Sequence, residues 1–153
     1  MAETIRLTLA QRHDYQFDNQ FEGGRTLRLL SDEPVPIGLG DGPSPAQLLL
    51  AAAADCLSAS LLFALRKYGE PESLMKGEAE CEIDRNGYGR LRVMSIQVAL
   101  RLGLPASAYG KLARILTSFE DFCTVSQSIA QGIPVITRVY DADGVLLKDG
   151  PQS

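Results

Sequence analysis

DEPVPIGLGDGPSPAQLLLAAAADCLSASL, residues 32–61, is a loop rich in Pro and Gly that runs straight into an apolar helix. Ser44 opens the helix, Pro45 takes the favoured first helical position, and Gln47 completes an S-x-x-Q capping box. From Leu48 to Leu65 the helix is apolar on nearly every side, with Asp55, Ser58 and Ser60 as its polar breaks. Such a helix belongs at the centre of a core or an interface. Arg66 and Lys67 close it, where the helix dipole favours cations.

Upstream, the chain reads as strands. Ile5, Leu7 and Leu9 alternate with polar neighbours, the period of a half-buried strand. His13 to Phe21 carries Tyr15, Phe17 and Phe21 as a second run, and Gly23-Gly24 turns into a third from Arg25 to Leu30. Downstream comes a hairpin. Ala79, Cys81 and Ile83 alternate with acids, Asn86-Gly87 supplies the turn, and Met94, Ile96, Val98, Leu100 and Leu102 share a face of the return strand. Pro105 begins a helix whose apolar stripe is Ala108, Leu112, Ile115, Leu116 and Phe119. Thr124 and Gln127 form a T-x-x-Q box at the start of a short helix ended by Gly132, and Ile133 to Tyr140 is a last strand. The order β-β-β-α-β-β-α-α-β predicts an α+β fold of antiparallel sheets packed on the central helix, one domain over residues 1–153.

Composition narrows the partners. A net charge of −4 and a pI near 5.0 argue against nucleic acid and acidic membranes. The first fifteen residues lack a basic segment and an apolar core, so no signal peptide is expected. The longest strictly apolar run, Leu48 to Ala54, is far short of the ~20 residues that cross a bilayer. Three cysteines do not make a secreted disulfide framework, and a reducing cytoplasm is the expected setting. No metal-ligand spacing occurs, and nothing calls for a cofactor.

With three cysteines and one histidine, a thiol pair is the best covalent chemistry on offer. Cys56 lies in the apolar helix among Leu49, Ala52, Ala53, Ala59, Ser60 and Phe63. Small residues there leave room for a ligand or another segment; a buried structural cysteine is the plain alternative. Cys123 precedes Thr124, so a helix start faces it and lowers a thiol pKa. The two lie 67 residues apart, and the sequence leaves open whether they meet. Cys81 is expected to face the core and stay inert, His13 to be an edge-strand histidine, and Glu78, Glu80, Glu82 and Asp84 to be a solvated face. Arg25, after Gly23-Gly24, is a candidate partner for a buried thiolate; Arg28 is its rival, with Arg6, Arg12 and Arg138 further off.

These residues resemble the OsmC/Ohr family, osmotically inducible protein C and organic hydroperoxide resistance protein. The resemblance is carried by Asp32-Glu33-Pro34, the Gly38–Asp41 loop, Gly42-Pro43-Ser44-Pro45, the leucines and alanines, and Cys56. Cys123-Thr124-Val125-Ser126 resembles the second cysteine motif of that family, and the likeness runs from about residue 4 to residue 140, nearest the broader OsmC-like branch. It implies an intertwined homodimer with sites at the subunit boundary and sheets wrapped around the central helices. It implies a thiol peroxidase of the oxidative stress response: Cys56 attacks an organic hydroperoxide, Cys123 resolves the sulfenic acid as a disulfide, and dithiols, among them lipoylated proteins, re-reduce it. Arg25 inherits the thiolate-stabilising arginine from the Gly-Gly-Arg segment of the Ohr branch. Leu49, Ala52, Leu57 and Phe63 would form the apolar wall for substrate. Where the Ohr branch carries a glutamate after the proline, this chain has Ala46. That departure motivates an alternative, an OsmC-like small-molecule binding module without peroxidase activity. A third reading is an interaction protein with no site. The separation of the two sulfurs discriminates between the first two.

Overall fold

The computed structural model describes residues 2–23 and 27–150. The chain divides into two compact units, Met1–Leu49 and Leu50–Ser153. The first holds three antiparallel strands in the order β1-β2-β3: β1 (Leu7–His13), β2 (Gln16–Phe21) and β3 (Leu27–Ser31). The expected second strand begins late because Asp14 takes a positive φ of 47°, which turns the chain before Gln16. Asp tolerates that left-handed conformation better than most residues.

The buried side chains of this unit are polar: Gln16, Asn19, Ser31, Asp32 and Ser44. Many of its apolar side chains are exposed, Ile5 by 82% and Leu9 by 58%, while Phe17, Leu29 and Leu30 are half-buried. The half-buried pattern read for the first strand therefore fails within a single chain, where β1 is exposed along its whole length.

Hydrogen bonds hold this unit instead. Asp32 is the centre. Its carboxylate accepts backbone N–H groups from Glu33 (2.7 Å), Leu39 (3.3 Å) and Asp41 (3.2 Å), and the Gln16 amide at 3.1 Å. The same amide reaches Asp41 at 2.8 Å, tying β2 to the loop. A side chain at Gly38 would strike the Glu33 carbonyl and the Asp32 carboxylate, and one at Gly42 would strike the Leu30 carbonyl. The loop closes this tightly only with glycine at both places.

The second unit carries the apolar core. Helix α1 (Pro45–Lys67) starts with the expected box: Ser44 N–H donates to Gln47 Oε1 at 2.9 Å, and Gln47 N–H to Ser44 Oγ at 3.2 Å. Ala53, Leu57, Leu61 and Leu65, four residues apart, are its buried stripe. Length and composition alone would let α1 cross a membrane, yet only 28% of its most apolar window is buried in this chain.

A mixed sheet follows in the order β4-β5-β6-β7: β4 (Lys76–Arg85), β5 (Leu91–Arg101), β6 (Val135–Tyr140) and β7 (Leu146–Lys148). Ile96, Val98 and Leu100 of β5 and Val135 and Val139 of β6 are buried.

Several details correct the sequence reading. β6 runs parallel to β5, because a helical crossover returns the chain to the same end of the sheet. The sheets are therefore not all antiparallel. A register shift at Glu82/Ile83 leaves Met94 without a partner, so Met94 and Ile83 fall off the buried face. The hairpin spans residues 86–90 with its positive φ at Gly89, while Asn86 Oδ1 accepts from Tyr88 and Arg90.

The helix read from Pro105 breaks into a 3₁₀ turn (Ala106–Ala108), α2 (Leu112–Ser118) and a second 3₁₀ turn (Phe119–Phe122). Glu70 diverts two N–H groups that a continuous helix would use, those of Gly110 and Lys111, at 2.9 and 2.8 Å. Asp141 takes the N–H of Ala106 at 3.0 Å, one that the first turn of a helix leaves free. Strand β7 was missed, although Asp143-Gly144 marks its turn.

Burial alone would raise the Asp32 pKa, but its four hydrogen bonds outweigh that and hold it below the ordinary aspartate value of 3.8. Asp141 is held low as well, by the N–H groups of Ala106, Val145 and Asp143 against burial. A depressed carboxylate stabilises the fold above its unfolded pKa and loses that contribution as pH falls through the folded one. Thermal unfolding should therefore drop steeply below about pH 4. Asp32→Asn should melt lower at pH 7 and show a shallower acid limb. An acid limb unchanged by that substitution would rule out the role given to Asp32.

Candidate functional site

Helix α1 presents Cys56 at the edge of its buried stripe, one position before fully buried Leu57. Cys56 itself is half-buried. Ala51, Ala52, Asp55, Ala59 and Phe63 are exposed, Phe63 by 69%. Leu49, Ala52 and Phe63 follow Cys56 at helical spacing, whereas Leu57 lies about 100° around the helix and in the core. Leu49 is the last residue of the first unit, and the other members of the expected apolar wall belong to the second.

Cys123 arrives from the other side of that unit. The chain descends α2, passes the 3₁₀ turn, and enters helix α3 (Thr124–Ile129). Cys123 rather than Thr124 is the N-cap. The expected Thr124–Gln127 box is therefore absent. With the cap one residue early, the Gln127 backbone N–H bonds the Cys123 carbonyl at 3.0 Å, and its side-chain amide turns back to the Glu120 carbonyl at 3.1 Å. The Cys123 N–H bonds the Glu120 carbonyl as well, at 3.0 Å.

Cys123 is fully buried and has Cys56 as a neighbour close enough to raise its pKa. The fold thus joins two thiols that the sequence left 67 residues apart. Burial pushes the Cys123 thiol above its ordinary pKa; the Ser126 hydroxyl and backbone N–H pull it down, and the neighbouring Cys56 pushes it up again. Ser126 is itself fully buried. Ser126 lies in the Cys123-Thr124-Val125-Ser126 motif, and its position three residues into a helix from Cys123 is the sequence signal that marks it.

Glu120 stands nearby on the 3₁₀ turn, 6% exposed, with Lys148 Nζ 3.6 Å from its Oε1. Burial raises its pKa, and the Lys148 charge and hydrogen bond lower it in part. Cys81 pairs with buried Ile96 across the ladder and is half-buried, on the core-facing side.

Arg25 lies outside the described residues. Arg138 is engaged elsewhere: its Nε pairs with Asp149 at 2.7 Å and its Nη1 with Gln97 at 3.1 Å. Among the described residues, no arginine pairs with either thiol, and no group of three His, Cys, Asp or Glu side chains could hold a metal. Two hollows, of about 490 and 280 Å³, lie over β4, β5 and β6; Ala99 and Tyr140 line both, and neither touches Cys56.

The two neighbouring thiols differ in access, one half-exposed and one sealed. The unequal access sets an order. Iodoacetamide at pH 8 should alkylate Cys56 before Cys123 in the reduced protein, as peptide mass spectrometry would read. Equal rates, or Cys123 first, would contradict the arrangement.

A family model described as OsmC-like protein matches residues 38–138. No functionally curated protein matches the chain by sequence. Solved structures share the fold at low identity. An OsmC-like protein of unknown function from Vibrio cholerae is 14% identical with a TM-score of 0.75, over 90% of this chain and 99% of that one. An organic hydroperoxide resistance protein from Elizabethkingia anophelis, with thiocyanate bound, is 15% identical with a TM-score of 0.71, over 92% and 98%. A Vibrio cholerae protein described by the same activity, with captopril in one of its active sites, is 21% identical with a TM-score of 0.70, over 96% of each chain.

Proposed function

This chain belongs to the OsmC-like protein family, and from that premise we propose that it reduces organic hydroperoxides with Cys56 and Cys123. The observation that carries the reading is the proximity of the two thiols, with Cys56 close enough to buried Cys123 to raise its pKa. Sulfurs held far apart would have favoured the binding module instead.

Cys56, the more accessible thiol, acts first as thiolate. An S–O bond forms as the O–O bond breaks, and the departing alkoxide takes a proton to become the alcohol. Cys56 is left as sulfenic acid. Cys123 loses its proton and attacks that sulfur; the S–S bond forms and water leaves. Two electrons have passed from the thiols to the peroxide, and a dithiol reductant, a lipoylated protein being one form, must return them. Ser126 has a part in the second step, because its donors stabilise the anion that Cys123 must become. Arg25 is the proposed cation for the Cys56 thiolate. The apolar stripe of Leu49, Ala52 and Phe63 beside Cys56 selects organic over hydrogen peroxide.

One equivalent of cumene hydroperoxide should remove two free thiols from the reduced protein. Cys56→Ser should cut dithiothreitol-driven turnover by on the order of 100-fold or more. Cys123→Ser should consume one peroxide to form the Cys56 sulfenic acid and a second to reach sulfinic acid, seen as a 32 Da gain over the reduced mass, two oxygen atoms added to the thiol. Equal, slow consumption by wild type and Cys56→Ser would remove the enzyme reading.

The active assembly we propose is a homodimer. The first unit buries no apolar side chain among its described residues, and α1 exposes a stripe from Ala52 to Phe63. A second copy would cover both, with an interface above the ~2,000 Å² of permanent partners. The unfolding midpoint should then rise with protein concentration. A stable monomer by light scattering at micromolar concentration is the contrary outcome.

A further inference from the structure

Three cations converge on one aromatic ring where α1 ends and α2 begins. Lys67 Nζ and Lys111 Nζ each stand 5.8 Å from the Tyr68 ring centroid, and the Arg114 guanidinium carbon stands 5.4 Å away. All three side chains are exposed. Among the described residues, none of them has a carboxylate partner within ion-pair distance. The nearby acids are engaged: Glu72 holds Arg66 at 3.1 Å, and the Glu70 oxygens take the backbone N–H groups of Gly110 and Lys111. Like charges gathered at this spacing repel, and the face of one ring offsets only part of that. The whole chain carries −4, so this positive patch runs against its average.

Such a site calls for an anionic surface. A single small anion gains little from exposed cations in water. A folded partner presenting several carboxylates gains from all three together and is steered in from a distance. Nucleic acid fits less well, because its affinity comes from many more phosphate contacts and the rest of this chain repels it. The patch also has a position. Lys67 follows Cys56 by 11 residues on α1, about 16 Å along the helix. An interface of about 800 Å² per partner is roughly 32 Å across, wide enough to span both.

We propose that the Tyr68 patch docks the acidic protein that returns electrons to the Cys56–Cys123 disulfide. The inference rests on the function proposed above. A thiolate of the docked protein attacks one sulfur of the disulfide, forming a mixed disulfide and freeing the other sulfur to take a proton. The donor's second thiol then displaces the remaining cysteine, which takes the second proton. The donor leaves as a disulfide, and two electrons and two protons have crossed.

The test compares donors on the full chain. Cumene hydroperoxide turnover is followed with dithiothreitol, with reduced thioredoxin and with a reduced lipoyl domain, in wild type, Lys111→Ala and Lys67→Glu/Arg114→Glu. Dithiothreitol rates should be equal in all three proteins. At least one protein donor should outpace dithiothreitol on wild type at equal thiol concentration. That advantage should fall about threefold with Lys111→Ala and tenfold or more with the double charge reversal, and it should fade as salt rises. No protein donor faster than dithiothreitol, an advantage unchanged by the variants, or a DNA duplex that competes as well as the donor would each overturn the proposal. Absence of dithiothreitol-driven turnover in wild type would instead overturn the peroxidase reading on which it rests.

Discussion

Helix α1 imposes the constraint that organises the second unit. Twenty-three residues apolar on almost every side must be kept from water, and a chain that packs one side leaves the other bare. The packed side is a narrow stripe of Ala53, Leu57, Leu61 and Leu65. Full burial of a leucine stabilises by about 1.5–3 kcal/mol, so this stripe fixes the helix firmly. Cys56 sits at the seam between the packed and bare sides. One flank meets the core, where Cys123 waits; the other meets the open alanine stripe. Under the proposed function, such a position lets one sulfur meet a peroxide on one side and a buried thiol on the other.

The first unit solves a different problem with different physics. Its described residues bury no apolar side chain, and its strands cannot be held by greasy contacts of their own. Asp32 holds it instead, collecting three backbone N–H groups and an amide on one carboxylate. Hydrogen bonds to a charged acceptor are stronger than neutral ones, and a buried group that lost them would be left uncompensated. The second unit repeats the device at Asp141, which accepts from Ala106, Asp143 and Val145. Both aspartates fix irregular backbone, one ahead of α1 and one at the turn before β7. Where Glu70 takes the N–H groups of Gly110 and Lys111, the stretch after Pro105 cannot continue as one helix.

Which parts were legible follows from range. The S-x-x-Q box, the apolar helix and the paired strands rest on neighbours within a few residues, and they fall where the pattern put them. The parallel pairing of β5 and β6, the bulge that expels Met94, and the break at Gly110 depend on partners far along the chain, such as Glu70 forty residues upstream. The candidate site divides in the same way. That Cys56 and Cys123 are the thiols to watch was readable from their helical settings. Their contact was not, since 67 residues separate them. Ser126 was quoted only as a motif letter, because its work on the sulfur depends on a cap one residue earlier than the sequence suggests. Exposed β1 shows the opposite error: an alternating pattern marks a face meant to be covered, and a single chain does not cover it.

The two thiols differ in a way that gives the chemistry a direction. A sealed thiol is costly to ionise, and burial raises the Cys123 pKa, whereas Cys56 is half-buried and open to reagents. In the proposed cycle, oxidation of Cys56 to sulfenic acid changes the balance. The sulfur that accepted Cys123 as a neutral neighbour becomes an electrophile within its reach, and the Ser126 donors are already in place for the anion that must form. Burial then serves a second purpose. Peroxide that cannot reach Cys123 cannot oxidise it before resolution, so one thiol is kept in reserve by the same packing that raises its pKa. Cys81 lacks this arrangement: it is half-buried beside Ile96 in a strand ladder, and no second thiol is placed to resolve it. Of the three cysteines, Cys56 and Cys123, one open and one closed, are the pair on which the proposed cycle rests.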